Sequence, residues 1–549
     1  MTQWSFAAVL DAIAASVPER TMTRCGSRVR TFGAAAQDTT RLANFLIDQG
    51  LGVVDQSGPL QRWHCGQDRV ALLMRNDRYP EAFLAATKAR TAPVNVNYNY
   101  TAAEVADLLS YVEPRAVFYH RSFGPVVAQA VDPAITSLLI SVDDGSDTPM
   151  LPDAVDYDTA VQRGDSHRPA ETSPDDLVMI CTGGTTGRPK GVLWRQGDMY
   201  VSSMGGADHP DIEAIAELAR AGGQTWFPVS PLMHALGLWS AFAAILGAHT
   251  VVLHDDREPF DPAAVWRTAA HHQVSMMSIV GDAYAAPLAA ELGRADYDLT
   301  QLSILATGGA ATHPQHKRAL VDRLPRLSII DGYGSSETGG LGYGQSRSGQ
   351  QSHTFAAWTG GVVLSEDRRR VLGAGDTEIG WAAKTGRIPM GYFNDPAATE
   401  ATFPIVDGHR MSIPGDRARI GSDGTIELLG RDSLVVNTGG EKVFVEEVEE
   451  VLRGYAGVAD AVVVGRPHPR WGHEVTAVIA TIPGHSVDAD QLRGHCRSQL
   501  AGFKTPKAFV FVDAVRRLGT GKADYRWAAR AAAAGSEHAA GATHDPEMV

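Results

Sequence analysis

Residues 177–191 read Leu177-Val-Met-Ile-Cys181-Thr182-Gly183-Gly184-Thr185-Thr186-Gly187-Arg188-Pro189-Lys190-Gly191. The apolar run at 177–181 reads as a strand, and it opens into a loop of glycine, threonine and one lysine. Glycines let a backbone curl until successive N–H groups point at one anion. The threonine hydroxyls add donors and Lys190 adds positive charge, so the loop suits a triphosphate. It is not a Walker A loop, because Pro189 and Gly191 flank the lysine and break the G-x-x-x-x-G-K-[ST] pattern. A plain surface turn is the competing reading. Four glycines, three threonines and a lysine within 182–191 weigh against it.

Outward from this loop the chain alternates strand-like and helical patterns. Upstream, strands are expected at 70–74, 116–119 and 138–142, with helices at 81–90 and 101–111. Thr101 and Glu104 fit a capping box at the start of the second helix. Downstream, strands are expected at 251–254, 276–280, 304–307 and 327–330. The alternation predicts an α/β fold with largely parallel sheets. After about Arg431 the texture changes to a charged helix at 446–453, strands at 461–464, 475–479 and 509–512, and a helix at 492–500. These predict a compact α+β unit of about a hundred residues. The organisation expected is therefore a large N-terminal multi-sheet α/β domain at 1–430, a small mobile α+β domain at 434–527, and a disordered Ala/Gly-rich tail at 528–549. Residues 55–68 read as a surface excursion, and the glutamates at 446–449 as a solvated helix face.

The bulk numbers bound the function. The 549 residues are 44% hydrophobic and 20% charged, an ordinary soluble balance. Net charge is −14, which disfavours nucleic acid as a partner. The four cysteines, Cys25, Cys65, Cys181 and Cys496, lie far apart, so neither a disulfide framework nor a thiolate zinc site is expected. Reduced thiols point to a cytoplasmic location. The first residues lack a basic n-region, and no uncharged apolar run reaches the ~20 residues of a membrane helix. Oligomeric state is not legible; a homodimer stays open.

With its loop at 182–191 and the later segment Asp331-Gly-Tyr-Gly-Ser-Ser-Glu-Thr338, the sequence resembles the adenylate-forming superfamily: acyl-CoA synthetases, luciferase-like enzymes and nonribosomal peptide adenylation domains. The family loop usually has serine where this chain has Gly183. The resemblance implies that Thr182 to Gly187 and Lys190 hold phosphates. It implies that Asp331, Gly332, Tyr333, Gly334, Ser335 and Ser336 line the nucleotide, Tyr333 stacking on adenine and Ser336 approaching the α-phosphate. Glu337 would bind Mg²⁺, and a carboxylate is a hard ligand suited to that ion. Gly308, Gly309 and Ala310 match a strand-end turn beside the nucleotide and acyl sites.

Further matches follow in order along 5–527. Asp416 in Pro-Gly-Asp and Arg431 in Gly-Arg-Asp match the ribose contacts. Ser433 stands where relatives carry Asp or Lys at a domain hinge. Asn437-Thr-Gly-Gly440-Glu-Lys442 matches a loop that borders the pantetheine tunnel at Gly440. Lys522 matches the lysine that reaches the carboxylate and α-phosphate during adenylation. His234 matches the mouth of the acyl pocket and reads equally as a packed core histidine; Tyr284 is a second candidate for shaping that pocket. Trp194 and Arg195 follow the loop, where packing is the favoured reading and an acyl or CoA contact the alternative.

Together these imply an acid–thiol ligase that uses ATP, Mg²⁺ and coenzyme A, with Lys522, Lys190 and Glu337 as the catalytic groups. Within the superfamily the chain looks most like bacterial fatty-acyl and steroid-side-chain acyl-CoA synthetases. Gly332, Gly339 and Gly340 suggest room for a long-chain or polycyclic acid. The alternatives are an acyl-AMP ligase that loads a carrier protein, for which 338–380 offers no room for the usual insertion, and a non-catalytic nucleotide- or acyl-binding homologue.

Overall fold

A computed structural model describes residues 2–54, 58, 60–167, 171–182, 189–347, 354–438, 441–468, 472–518 and 521–535. The chain forms two compact units. The first holds Met1–Val362 and Ala383–Pro414; the second holds Val363–Ala382 and the chain from Gly415. The division thus falls earlier than the boundary expected at 431–434. The reason is local pairing: Asp416–Ile420 and Ile426–Arg431 form one antiparallel hairpin, which keeps both strands in the same unit. A 3-10 turn, Asp432–Leu434, follows the hairpin.

The first unit contains two large sheets. In the eight-stranded sheet, Ala92–Asn95, Arg69–Leu73, Ala116–His120, Leu138–Val142 and Ala154–Asp156 form a parallel array. Leu177–Thr182 joins it beside Ala92–Asn95, and Lys190–Arg195 and Gly391–Tyr392 continue it antiparallel. These strands are apolar and β-branched, with helices between them, as a parallel sheet covered on both faces requires. The nine-stranded sheet runs parallel through Thr21–Cys25, Thr250–Val252, Thr225–Pro228, Met276–Ile279, Ile304–Gly308 and Ser328–Ser335. It then turns antiparallel into Gly339–Ser346 and Ala356–Ala357. Both halves of the predicted capping box are formed at Thr101 and Glu104. The far end of the 55–68 excursion is buried: Gln67 accepts from Leu177 N at 2.6 Å, and the Trp63 carbonyl accepts from Asn394 N at 2.8 Å.

In the second unit, Val458–His468 and Gly472–Thr481 form a long antiparallel pair, extended by Ala508–Val512 in parallel and by the short strands Val436–Thr438 and Glu441–Val443. Helices Val445–Arg453 and Ala489–Gln499 bury Val445, Val448, Leu452, Leu492 and Cys496 in its core. The sequence reading is corrected at two places here. Glu449 is buried rather than solvated: it accepts from Val463 N at 2.9 Å and from the Tyr525 hydroxyl at 3.3 Å. The tail does not begin at 528, because a helix runs Tyr525–Ala534 with Asp524 as its cap. Ala528 and Ala532, one turn apart, pack with Val462, Val464 and Val478, and their small side chains are what permit the close approach. Residues 536–549 lie outside the described residues.

Candidate active site

The strand Leu177–Thr182 delivers Thr182 to its C-terminal end, and the strand Ser328–Ser335 of the other sheet delivers Ser336. Their hydroxyls lie 3.1 Å apart. The Ser336 hydroxyl donates to Glu337 Oε2 at 2.9 Å, and the Tyr392 hydroxyl donates to Glu337 Oε1 at 2.9 Å. The carboxylate is therefore oriented by a donor on each oxygen. Lys190 starts the strand that follows residues 183–188. Its Nζ lies 4.8 Å from the centre of the Tyr392 ring and 3.8 Å from Asp395 Oδ2. Tyr392 thus touches both the lysine and the carboxylate. Gly183, Gly184, Thr185, Thr186 and Gly187 lie outside the described residues.

The turn that carries Glu337 is held at its carbonyls. Trp194 Nε1 donates to Ser336 O at 2.8 Å, Ser412 Oγ donates to Glu337 O at 2.6 Å, and Thr338 Oγ1 donates to Gly339 O at 2.8 Å. Trp194 is fully buried, in line with its reading as packing. Asp331 is paired with Lys317 at 2.8 Å. Gly308 lies opposite Gly332 in the parallel ladder, and Gly309 and Ala310 follow at that strand end. Gly332, Tyr333, Gly334 and Ser335 continue their strand, with the Tyr333 ring 5.7 Å from that of Phe355.

Gly339 does not open space for a ligand. It has φ +65°, and a Cβ there would meet Ser203 Oγ at 2.4 Å and Ser202 Oγ at 2.7 Å. A glycine is needed because the neighbouring helix packs against it, which corrects the reading of this position as pocket volume.

His234 precedes helix Ala235–Leu246, whose Leu236 approaches Gly308 and Gly309. Asn95 ties this region to the strand Leu177–Thr182. It donates to Met233 O at 2.6 Å and to Cys181 O at 3.0 Å, and accepts from Cys181 N at 2.7 Å. Tyr284 lies in helix Gly281–Leu292, edge-on to Phe260 at 4.9 Å. Burial, then nearby Asp256, raises its phenol pKa.

In the second unit Asp416 and Arg431 face each other across the hairpin, with Arg431 Nε donating to Asp416 Oδ1 at 3.2 Å. Glu446 stands behind them. A Cβ at Gly430, whose φ is +111°, would collide with its Oε2. Burial, then Glu449, pushes the Glu446 carboxyl up to about 7. Lys522 is exposed, and its carbonyl accepts from Leu518 N at 2.8 Å. Gly440 lies outside the described residues.

Sequence reasoning missed Asn95, Tyr392, Ser412 and Lys384. For Tyr392 and Asp395 a signal existed in Gly391-Tyr-Phe-Asn-Asp395-Pro396, where a turn precedes a proline-started helix. The others act through contacts distant in sequence.

Hydroxyls, a lysine and an oriented carboxylate gathered at strand ends lie where open α/β sheets place their ligands. The AMP-binding enzyme family matches residues 10–377, and its C-terminal domain matches residues 447–522; the chain belongs to this family. More particularly, it is 41% identical over 539 residues to the medium-chain acyl-CoA ligase Mig of Mycobacterium avium, covering 96% of this chain and 98% of that one. It is 35% identical over 532 residues to the 3-oxocholest-4-en-26-oate–CoA ligase of Rhodococcus rhodochrous, covering 93% of each. The fold is that of ATP-bound MatB from Rhodopseudomonas palustris, with a TM-score of 0.79, 21% identity, and coverage of 95% of this chain and 98% of that one. Among the described residues no helix is long and apolar enough to cross a membrane.

Proposed function

We infer that this protein is an AMP-forming acid–CoA ligase, which activates a carboxylic acid with ATP and transfers the acyl group to coenzyme A. The observation that carries this reading is the hydrogen-bonded set Thr182–Ser336–Glu337, built from the ends of strands in two sheets. A carboxylate has no good leaving group, so a thiol does not displace from it; an acyl-adenylate supplies one. In the first step the substrate carboxylate attacks the α-phosphorus and pyrophosphate leaves. Lys190, the loop after Thr182 and Lys522 stabilise the charge on the transferring phosphoryl group. In the second step the CoA thiol attacks the acyl carbon and AMP leaves.

Mg²⁺ fits the donor set. Among the described residues no cluster of three acidic, His or Cys side chains could cage a metal alone. One oriented carboxylate with substrate phosphates completing the shell is the arrangement Mg²⁺ favours. When bound there, the ion would neutralise phosphate charge.

Asp416 and Arg431 take the ribose, and Tyr333 the adenine. The second unit turns about Ser433 between the steps, presenting Lys522 for adenylation and the Gly440 loop for thioester formation. The acid is a medium- to long-chain fatty acid or a steroid side-chain acid. The named activities of the two relatives above support that class.

The test is release of pyrophosphate and AMP from Mg·ATP across acids from short fatty acids to sterol side-chain acids, with and without CoA. CoA-dependent AMP and acyl-CoA with one acid class is the expected result. Acyl-AMP with no CoA product would replace the reading with carrier loading. A Gly440→Leu variant should keep adenylation and lose thioester formation; loss of both would contradict the two-step rotation.

A further inference from the structure

Lys384 is among the largest side chains sealed inside the first unit, with 1% exposure. Its Nζ donates to Ser202 Oγ at 2.7 Å and to the Gly340 carbonyl. Burial alone depresses its pKa, to about 8; no carboxylate among the described residues acts on it. A buried ammonium without a counter-ion is costly, and a methionine or leucine would fill the same volume without that cost. Something other than packing is therefore served by the amine.

Its neighbours show what. Lys384 pairs across the strand with Ser412, whose hydroxyl holds the Glu337 carbonyl. Lys384 holds Gly340, at the other end of the same turn. Ser202, its second acceptor, lies in the last turn of the helix Gln196–Ser203 that packs on Gly339. Two adjacent side chains thus grip both ends of the turn that presents Glu337, and one of them ties that turn to a helix.

We propose that Lys384 is a positioning residue for metal–nucleotide binding: by holding the Gly340 carbonyl and the Ser202 hydroxyl, it fixes the turn that aims Glu337. This rests on the reading of Glu337 as the metal carboxylate. Lys384→Met leaves the half-buried Gly340 carbonyl without this donor and frees one end of the turn.

The test is calorimetric titration of ATP, with Mg²⁺ and again with EDTA, into the full chain and its variants. Lys384→Met should weaken Mg·ATP binding about tenfold and leave ATP binding in EDTA within about twofold. In turnover, KM for Mg·ATP should rise while KM for the acid stays. Equal weakening with and without Mg²⁺, or none, overturns the proposal. Ser202→Ala removes one acceptor with little risk to folding and should give the same Mg²⁺-dependent shift, about two- to threefold. If Lys384→Met does not fold, absence of that shift in Ser202→Ala overturns the proposal alone. If the wild type binds Mg·ATP and shows the Lys384 effect but ligates no acid, the ligase reading falls and the role of Lys384 stands. If Mg²⁺ makes no difference to the wild type, the reading of Glu337 falls and Lys384 with it.

Discussion

The turn at Ser336–Gly340 and the hairpin at Asp416–Arg431 each present a carboxylate, and each secures it differently. Around Glu337 the local hydroxyls of Ser336 and Thr338 are joined by donors from Trp194, Lys384, Tyr392 and Ser412, which are remote in sequence from the turn. Around Asp416 the partner is Arg431, directly opposite in one two-stranded ladder. The remote donors of the first arrangement are in place only when much of the first unit has folded; the two members of the second pair lie within sixteen residues, 416–431. Aim is therefore a global property at Glu337 and a local one at Asp416.

The contrast can be broken by mutation. Glu337→Gln keeps the shape and removes the charge, and should lower kcat/KM for pyrophosphate release by about a hundredfold or more with little change in Tm. A fall in Tm matching the loss of rate would show the carboxylate to be structural. Trp194→Phe deletes one remote donor and leaves the buried Ser336 carbonyl unpaired. It should cost about tenfold in kcat/KM for Mg·ATP. An unchanged value would mean the turn aims itself, and the global half of the contrast would fail. Arg431→Ala should raise KM for ATP by about three- to tenfold without altering the melting of the first unit.

The smallest effect is the dependence of stability on pH at Glu446. Its folded pKa, about 7, lies above the ~4.3 of an unfolded glutamate. Between those values the unfolded chain releases a proton that the folded one keeps, so this group lowers stability as pH rises and holds a constant penalty above about 7. Glu446→Gln should match the wild type at about pH 4 and exceed it by on the order of 1 kcal/mol at about pH 8, in urea unfolding. Equal stability at both would show the carboxyl to be solvated.

The strands at 70–74, 116–119, 138–142 and 276–280 were legible because their β-branched runs serve the same role locally and in the sheet. The strand expected at 327–330 continues in fact through Asp331-Gly-Tyr-Gly-Ser335, where propensity is poor. Its antiparallel ladder with Gly339–Ser346 supplies hydrogen bonds that no local signal announces. The same limit applies at the site. Thr182, Ser336 and Glu337 stand in motifs, whereas Asn95, Ser412 and Lys384 act across distances in sequence that periodicity does not span. Glu449 misled because a carboxylate one turn from Val445 looks like a solvated face until Val463 N and Tyr525 claim it.

The chain passes from the first unit to the second at 362/363, returns at 382/383 and leaves again at 414/415. On the ribosome this ordering matters. Residues 363–382 emerge before their own unit exists, while 383–414, made later, complete the earlier one. Gly361–Leu364 pairs with Gly380–Thr385, so that segment can close on itself as soon as residue 385 has emerged, whereas the partners that Gly380 and Trp381 find in Ala418 and Arg417 wait for the chain beyond Gly415.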